Sequence, residues 1–135
     1  MVAWYPLDEG SGSTTAHELT QQSAGFPNPL SVSSPLDAKY FGSPIHLTYS
    51  NGWVSNALQF DGTNDYVEAA HNSRLNFGTG DFSIDAWVKI DNPNDVVNAT
   101  RVIVEKREQV SKSDYRGYSL FLYGGKLSLQ MAGGN

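Results

Sequence analysis

Five carboxylates crowd one stretch of this chain: Asp61, Asp65, Glu68, Asp81 and Asp85. Two carboxyl groups can cleave a glycosidic bond by a retaining mechanism when they face one cleft about 5–5.5 Å apart, a geometry that residues alternating along a strand provide. No such alternation occurs here. Asp81 and Asp85 would share a strand face, but they are four residues apart with Ser83 between them, or roughly 13 Å along a strand. The chain is therefore expected not to be an enzyme. Asp61-Gly-Thr-Asn-Asp65 has oxygen-bearing side chains at positions one, three and five, like the opening of an EF-hand loop. Gly62 stands second rather than sixth, and Asn72 rather than glutamate stands twelfth, so the EF-hand reading fails. Two readings of the loop remain. In one, Asp61 and Asn64 cap backbone N–H groups of a turn in which Gly62 takes positive φ. In the other, Asp61 with Asp65 helps to hold a structural Ca²⁺, an ion that takes oxygen ligands from loops. No other cofactor is expected.

The remaining reactive residue types form no catalytic pattern. His17, His46 and His71 are widely spaced and read as loop histidines. No G-x-S-x-G elbow is present. The glycine-rich Asp8–Thr15 is not followed by a GK[ST] motif, so it is not a phosphate loop. Arg101 to Arg116 holds five of the nine basic residues, interspersed with Glu105, Glu108 and Asp114, and reads as a solvated hairpin of mixed sign. Aromatic rings are natural platforms for the C–H faces of sugars. Tyr115 and Tyr123 flank predicted hairpin ends and are the candidate ligand-binding residues. Trp4, Trp53 and Trp87 are assigned to core packing.

The elements that would carry these residues are strands. Phe82, Ile84, Ala86, Val88 and Ile90 alternate with Ser83, Asp85, Trp87 and Lys89 over nine residues, the strongest β pattern in the chain. Trp87 on the polar side predicts a sheet covered on both faces. Val2–Leu7 reads as a strand with Pro6 near its end. Ala57–Phe60 and the residues after a Gly-Thr-Asn-Asp turn read as two short strands, and Arg101–Glu105, Gly117–Tyr123 and Lys126–Met131 as three more. Gly124–Gly125 is a two-residue hairpin turn. In Ala16–Asn56, short apolar pieces at Leu30–Val32, Tyr40–Phe41 and Ile45–Tyr49 are strand candidates, while four prolines forbid a long central strand.

The chain has 135 residues, thirteen glycines, no cysteine and a net charge of −5. That fits one domain at most and excludes a disulfide framework or thiolate metal site. The acidic balance argues against nucleic acid as a partner. No run is apolar enough for a membrane span, and no signal peptide is read.

Val2–Gly10, ALQFDGTNDYVEA, GDFSIDAWVKI and YSLFLYGGKLSLQM together resemble the laminin-G-like domain of the concanavalin A-like lectin and glucanase superfamily, in its bacterial extracellular form. The resemblance implies an all-β jelly-roll sandwich of two antiparallel sheets over residues 1–135, without its C-terminal strands. It implies a non-catalytic binding or adhesion module of an extracellular or cell-surface protein, with a glycan or extracellular protein as partner. The alternative is a structural or assembly domain of a fibre, shell or surface layer. The missing strands would come from the remainder of a longer chain or from another copy. Some relatives hold structural calcium on the Asp61 loop. The pentraxin calcium site is not carried over, because the Tyr123-Gly-Gly-Lys126 hairpin lacks a carboxylate or amide side chain.

Overall fold

The structure is a computed structural model that describes residues 2–7, 9, 13–19, 36–43, 45–47, 56–90, 99–112 and 114–133. Strands dominate these residues, together with one short 3₁₀ turn at Ser73–Leu75. Every ladder is antiparallel. The chain is therefore all-β, as the sequence reads. None of its described helices is long and apolar enough to cross a membrane. Contacts divide it into two compact units, Met1–Gly80 and Asp81–Asn135.

In the first unit, β1 (Thr15–Ala16), β2 (Ala38–Phe41) and β5 (Tyr66–Ala69) form one sheet in the order β1-β2-β5. β3 (Ile45–Leu47) and β4 (Ala57–Gln59) form a second ladder. The strands on either side of the Asp61 turn thus do not pair with each other: β4 joins β3, and β5 joins β2. The turn is a corner between two ladders. The paired residues Ala16 and Ala38 are buried together with Leu36. Phe41 and Tyr66, opposite each other at the end of the β2–β5 ladder, stack with centroids 4.7 Å apart and planes 6° from parallel, a favourable cross-strand pair. Val2–Leu7, read as a strand, joins no ladder among the described residues. It is held by single bonds instead. The Trp4 carbonyl accepts from Leu19 N–H at 3.0 Å, and the Tyr5 hydroxyl donates to the Leu36 carbonyl. Leu30–Val32 and Trp53 lie outside the described residues.

The second unit contains a meander of β6 (Thr100–Ser111), β7 (Asp114–Tyr123) and β8 (Lys126–Ala132). Gly124 and Gly125 have φ of 54° and 74°, the paired positive angles of a tight hairpin turn that matches strand twist. The charged stretch from Arg101 to Arg116, which the sequence reads as a solvated hairpin, is mostly strand: β6 continues to Ser111 before turning. Its charges are compatible with a ladder because side chains on an exposed sheet face remain in water. The register puts Leu120, Leu122, Leu127, Leu129 and Met131 on one face, with Tyr118. Phe82 packs on the Tyr118 ring at 6.3 Å. Tyr118 is buried, whereas Leu127, Leu129 and Met131 are each more than half exposed.

Phe82–Ile90 departs most from expectation. It runs without a turn or bend but enters no described ladder. Alternation fixes which side chains would share a face; a neighbouring strand is still needed to make sheet. Trp87 is 74% exposed, so the described residues do not supply the covering layer assigned to it. Trp87→Ala is accordingly expected to change stability by less than about 1 kcal/mol, read by urea denaturation. A loss near 3 kcal/mol would instead place the indole in a packed interior.

Candidate functional site

A cleft of about 190 Å³ opens beside the corner turn, lined by Ser43, Gln59, Phe60, Asp61, Asn64 and Asp65. Its two carboxylates are fixed by the main chain. Asp61 Oδ1 accepts from the N–H groups of Thr63 at 2.7 Å and Asn64 at 3.2 Å. Asp65 Oδ1 accepts from Ser43 N–H at 2.7 Å and its Oδ2 from Asp61 N–H at 3.1 Å. Gly62 has φ of 74°, which closes the tight turn. At Gly42, φ is 75° and a Cβ would lie 2.2 Å from Asp65 Oδ1. Only glycine lets the end of β2 approach that carboxylate so closely. Phe60, 45% exposed, offers its ring at the rim.

The Thr63 N–H above all, opposed by desolvation and helped by the Asn64 N–H, holds the Asp61 carboxyl below its usual value. Its stabilising contribution is thus present at neutral pH, above the unfolded value, and is lost as pH falls through the lowered folded value. Asp61→Asn keeps an acceptor oxygen and removes the titration. The drop in urea midpoint between pH 7 and pH 3 is expected to be smaller in this variant than in the natural chain; an equal drop would mean that the ionised turn contributes nothing.

Asp61 and Asp65 come together, as the calcium reading requires. Among the described residues, however, no group of three or more histidine, cysteine or acidic side chains is gathered for a metal. Ca²⁺ takes six to eight oxygens, and both carboxylates already serve backbone N–H groups.

Tyr115 and Tyr123, the candidate ligand platforms, are 43% and 50% exposed and lie on the same face of β7. Eight residues separate them, roughly 26 Å along a strand, so no single sugar ring spans both. Next to Tyr115 is an interaction that sequence reading missed. Arg107 donates through Nε to Glu105 Oε1 at 2.9 Å and through Nη1 to Gln130 Oε1 at 3.0 Å, with its guanidinium carbon 5.7 Å from the Tyr115 ring centre.

A second missed network lies in the first unit. The Glu9 carboxylate accepts from His17 N–H at 2.7 Å and from the Tyr40 hydroxyl at 2.9 Å. Asp37 accepts from Glu18 N–H at 2.8 Å and meets His17 Nδ1 at 3.2 Å. Glu18, fully buried, accepts from Trp4 N–H at 3.3 Å. Burial first, and the bond to Glu9 second, push the Tyr40 hydroxyl far above its usual pKa. These bonds tie the N-terminal segment to β1 and β2.

Residues 41–135 match the family model described as Clostridium neurotoxin, N-terminal receptor binding. The chain belongs to that family. The laminin-G and concanavalin A-like assignment is thereby corrected: the motifs behind it, a short strand, an Asp-Gly turn and an alternating strand, describe sheet-forming sequence in general and do not single out a family. No curated protein and no solved structure matches the chain. The neurotoxin receptor-binding match covers the corner cleft and the meander, whereas Glu9, His17, Glu18 and Asp37 precede it. A receptor-binding domain is a non-catalytic binding module, in agreement with the absence of catalytic carboxylate spacing.

Proposed function

We propose that this chain recognises a receptor outside the cell as part of an extracellular protein, and that the receptor feature it takes is carbohydrate. The family match over residues 41–135 carries the reading. The cleft chemistry supports the ligand class. An exposed Phe60 ring stands beside fixed carboxylate acceptors and the Gln59 and Asn64 amides, and sugars present C–H faces and hydroxyls to such groups. The cleft is smaller than the roughly 300 Å³ at which drug-sized pockets begin, which suits one ring of a glycan. A glycan array probed with the chain, with and without Ca²⁺, is expected to give binding that Phe60→Ala and Asn64→Ala reduce. An array silent under both conditions would overturn the carbohydrate reading and leave a protein receptor. A structural Ca²⁺ on Asp61 and Asp65 is a separate proposal, tested by whether Ca²⁺ raises the melting temperature and EDTA reverses it.

The assembly alternative has one observation in its favour, the exposed row of Leu127, Leu129 and Met131 on β8, at the edge of its sheet. Such edges pair readily. Concentration-dependent self-association in light scattering would support it. Jelly-roll stacking likewise remains a proposal, supported by β5 returning to β2 across the intervening β3–β4 ladder.

A further inference from the structure

The Arg107 side chain crosses the meander instead of lying along it. Glu105, Ser119 and Gln130 stand abreast on one face. Strands are spaced about 4.8 Å apart, so Glu105 and Gln130 flank Ser119 across roughly 10 Å. A guanidinium bonded to both outer residues therefore lies over the middle strand. The floor beneath it is Gly117, opposite Arg107 in the register, and Ser119. Tyr115, next along the same face, closes one end. Ser119 is 1% exposed, and its hydroxyl has no hydrogen-bond partner among the described residues. A buried hydroxyl without a partner destabilises the fold. Native structures keep few of them, and each calls for a cause.

We propose that this cluster is a second sugar subsite, distinct from the Phe60 cleft, with Arg107 as its cover and one neutral hexose ring of a glycan as its occupant; the proposal rests on the carbohydrate reading above. Vicinal sugar hydroxyls need donors and acceptors together. Glu105 accepts, Arg107 and the Gln130 amide donate, and Ser119 does both. Tyr115 supplies an aromatic surface beside them. An anion fits less well, because Glu105 neutralises Arg107 and stands within the site. To admit the ring, Arg107 exchanges Glu105 and Gln130 for sugar hydroxyls. Its ion pair is partly exposed, at 28% and 36% for the two side chains, and exposed pairs are weakly held. Ser119 then gains the partner it lacks.

The test is an amide-resolved NMR titration of the ¹⁵N-labelled chain with methyl galactoside, methyl glucoside and methyl mannoside, to about 50 mM, a range that reaches millimolar dissociation constants. At least one glycoside is expected to give saturable shifts at the Gly117, Ser119 and Gln130 amides and at Arg107 Nε–H. Ser119→Ala is expected to weaken that binding about fivefold or more while leaving the urea midpoint unchanged or raised, because the lost hydroxyl has no partner in the unliganded fold. Equal binding by Ser119→Ala would overturn the proposal, as would shifts with acetate or sulfate but not with the glycosides. Silence at these amides with shifts around Asn64 would overturn this subsite and leave the carbohydrate reading standing. Silence at both places, together with a silent glycan array, would remove both.

Discussion

Gly117→Ala is expected to destabilise the chain by about 3 kcal/mol or more. Gly117 sits within β7 opposite Arg107, at a φ of 116°. A side chain at that angle is strained wherever it occurs. Space is lacking as well: an added Cβ would lie 1.9 Å from the Lys106 carbonyl oxygen and 3.2 Å from Arg107 Cα. Both obstacles are main chain, so no side chain can rotate away, and the β6–β7 ladder must shift to accept the methyl group. Gly78→Ala is the internal control. Its φ is also positive, at 58°, but nothing lies within 4 Å of the added atom, so only the backbone penalty of about 1 kcal/mol applies. Urea denaturation of both variants separates steric conflict from backbone preference. Equal midpoints for the two would show that the meander yields at Gly117.

Asp37→Ala is expected to cost about 2–4 kcal/mol. One carboxylate there serves two partners, the N–H of buried Glu18 and the half-buried His17 ring, and its own side chain is only 12% exposed. Truncation leaves a backbone donor without an acceptor where water has little access, and that loss exceeds the value of the bond itself. Asp37→Asn keeps an acceptor oxygen for Glu18 N–H and gives up the charge opposite His17. It is expected to lose less than half as much. The comparison is made by urea denaturation near neutral pH. If asparagine is as damaging as alanine, the His17 contact rather than the Glu18 N–H carries the effect.

Local features could be read from the sequence, and features that depend on distant partners could not. Gly124–Gly125 sets its own hairpin, because two positive φ angles and two flanking strands lie within a few residues. Half of the Asp61 turn is equally local, since the Asp61 carboxylate accepts from Thr63 and Asn64 N–H, whereas Asp65 reaches Ser43, 22 positions away. Phe82–Ile90 shows the limit. Its alternation is real, but a ladder needs a neighbour that periodicity does not supply. Sequence alone makes Arg107 one charge of a solvated hairpin. Its role depends on a register that brings Gln130, from another strand, within reach. The Glu9, His17, Asp37 and Tyr40 network joins residues as far as 31 positions apart, and no motif has that spacing. The only available signal was an acid and a histidine next to a short apolar strand, and many loops share it.

The sequence spacing of the ladders also sets an order of events in time. The meander closes through neighbours: Tyr123 pairs with Lys126, and Ser111 with Asp114. Hairpins of that kind form in roughly 1–10 μs. In Met1–Gly80, by contrast, Ala16 must find Ala38, and Phe41 must find Tyr66, each across more than twenty residues, so loop-closure entropy is lost before any contact compensates it. The meander is therefore the early structure and the N-terminal sheet the late one. A lesion at Gly117 is then expected to act mainly by slowing folding, and a lesion at Asp37 to leave folding almost unchanged and hasten unfolding, which stopped-flow rates in urea would check.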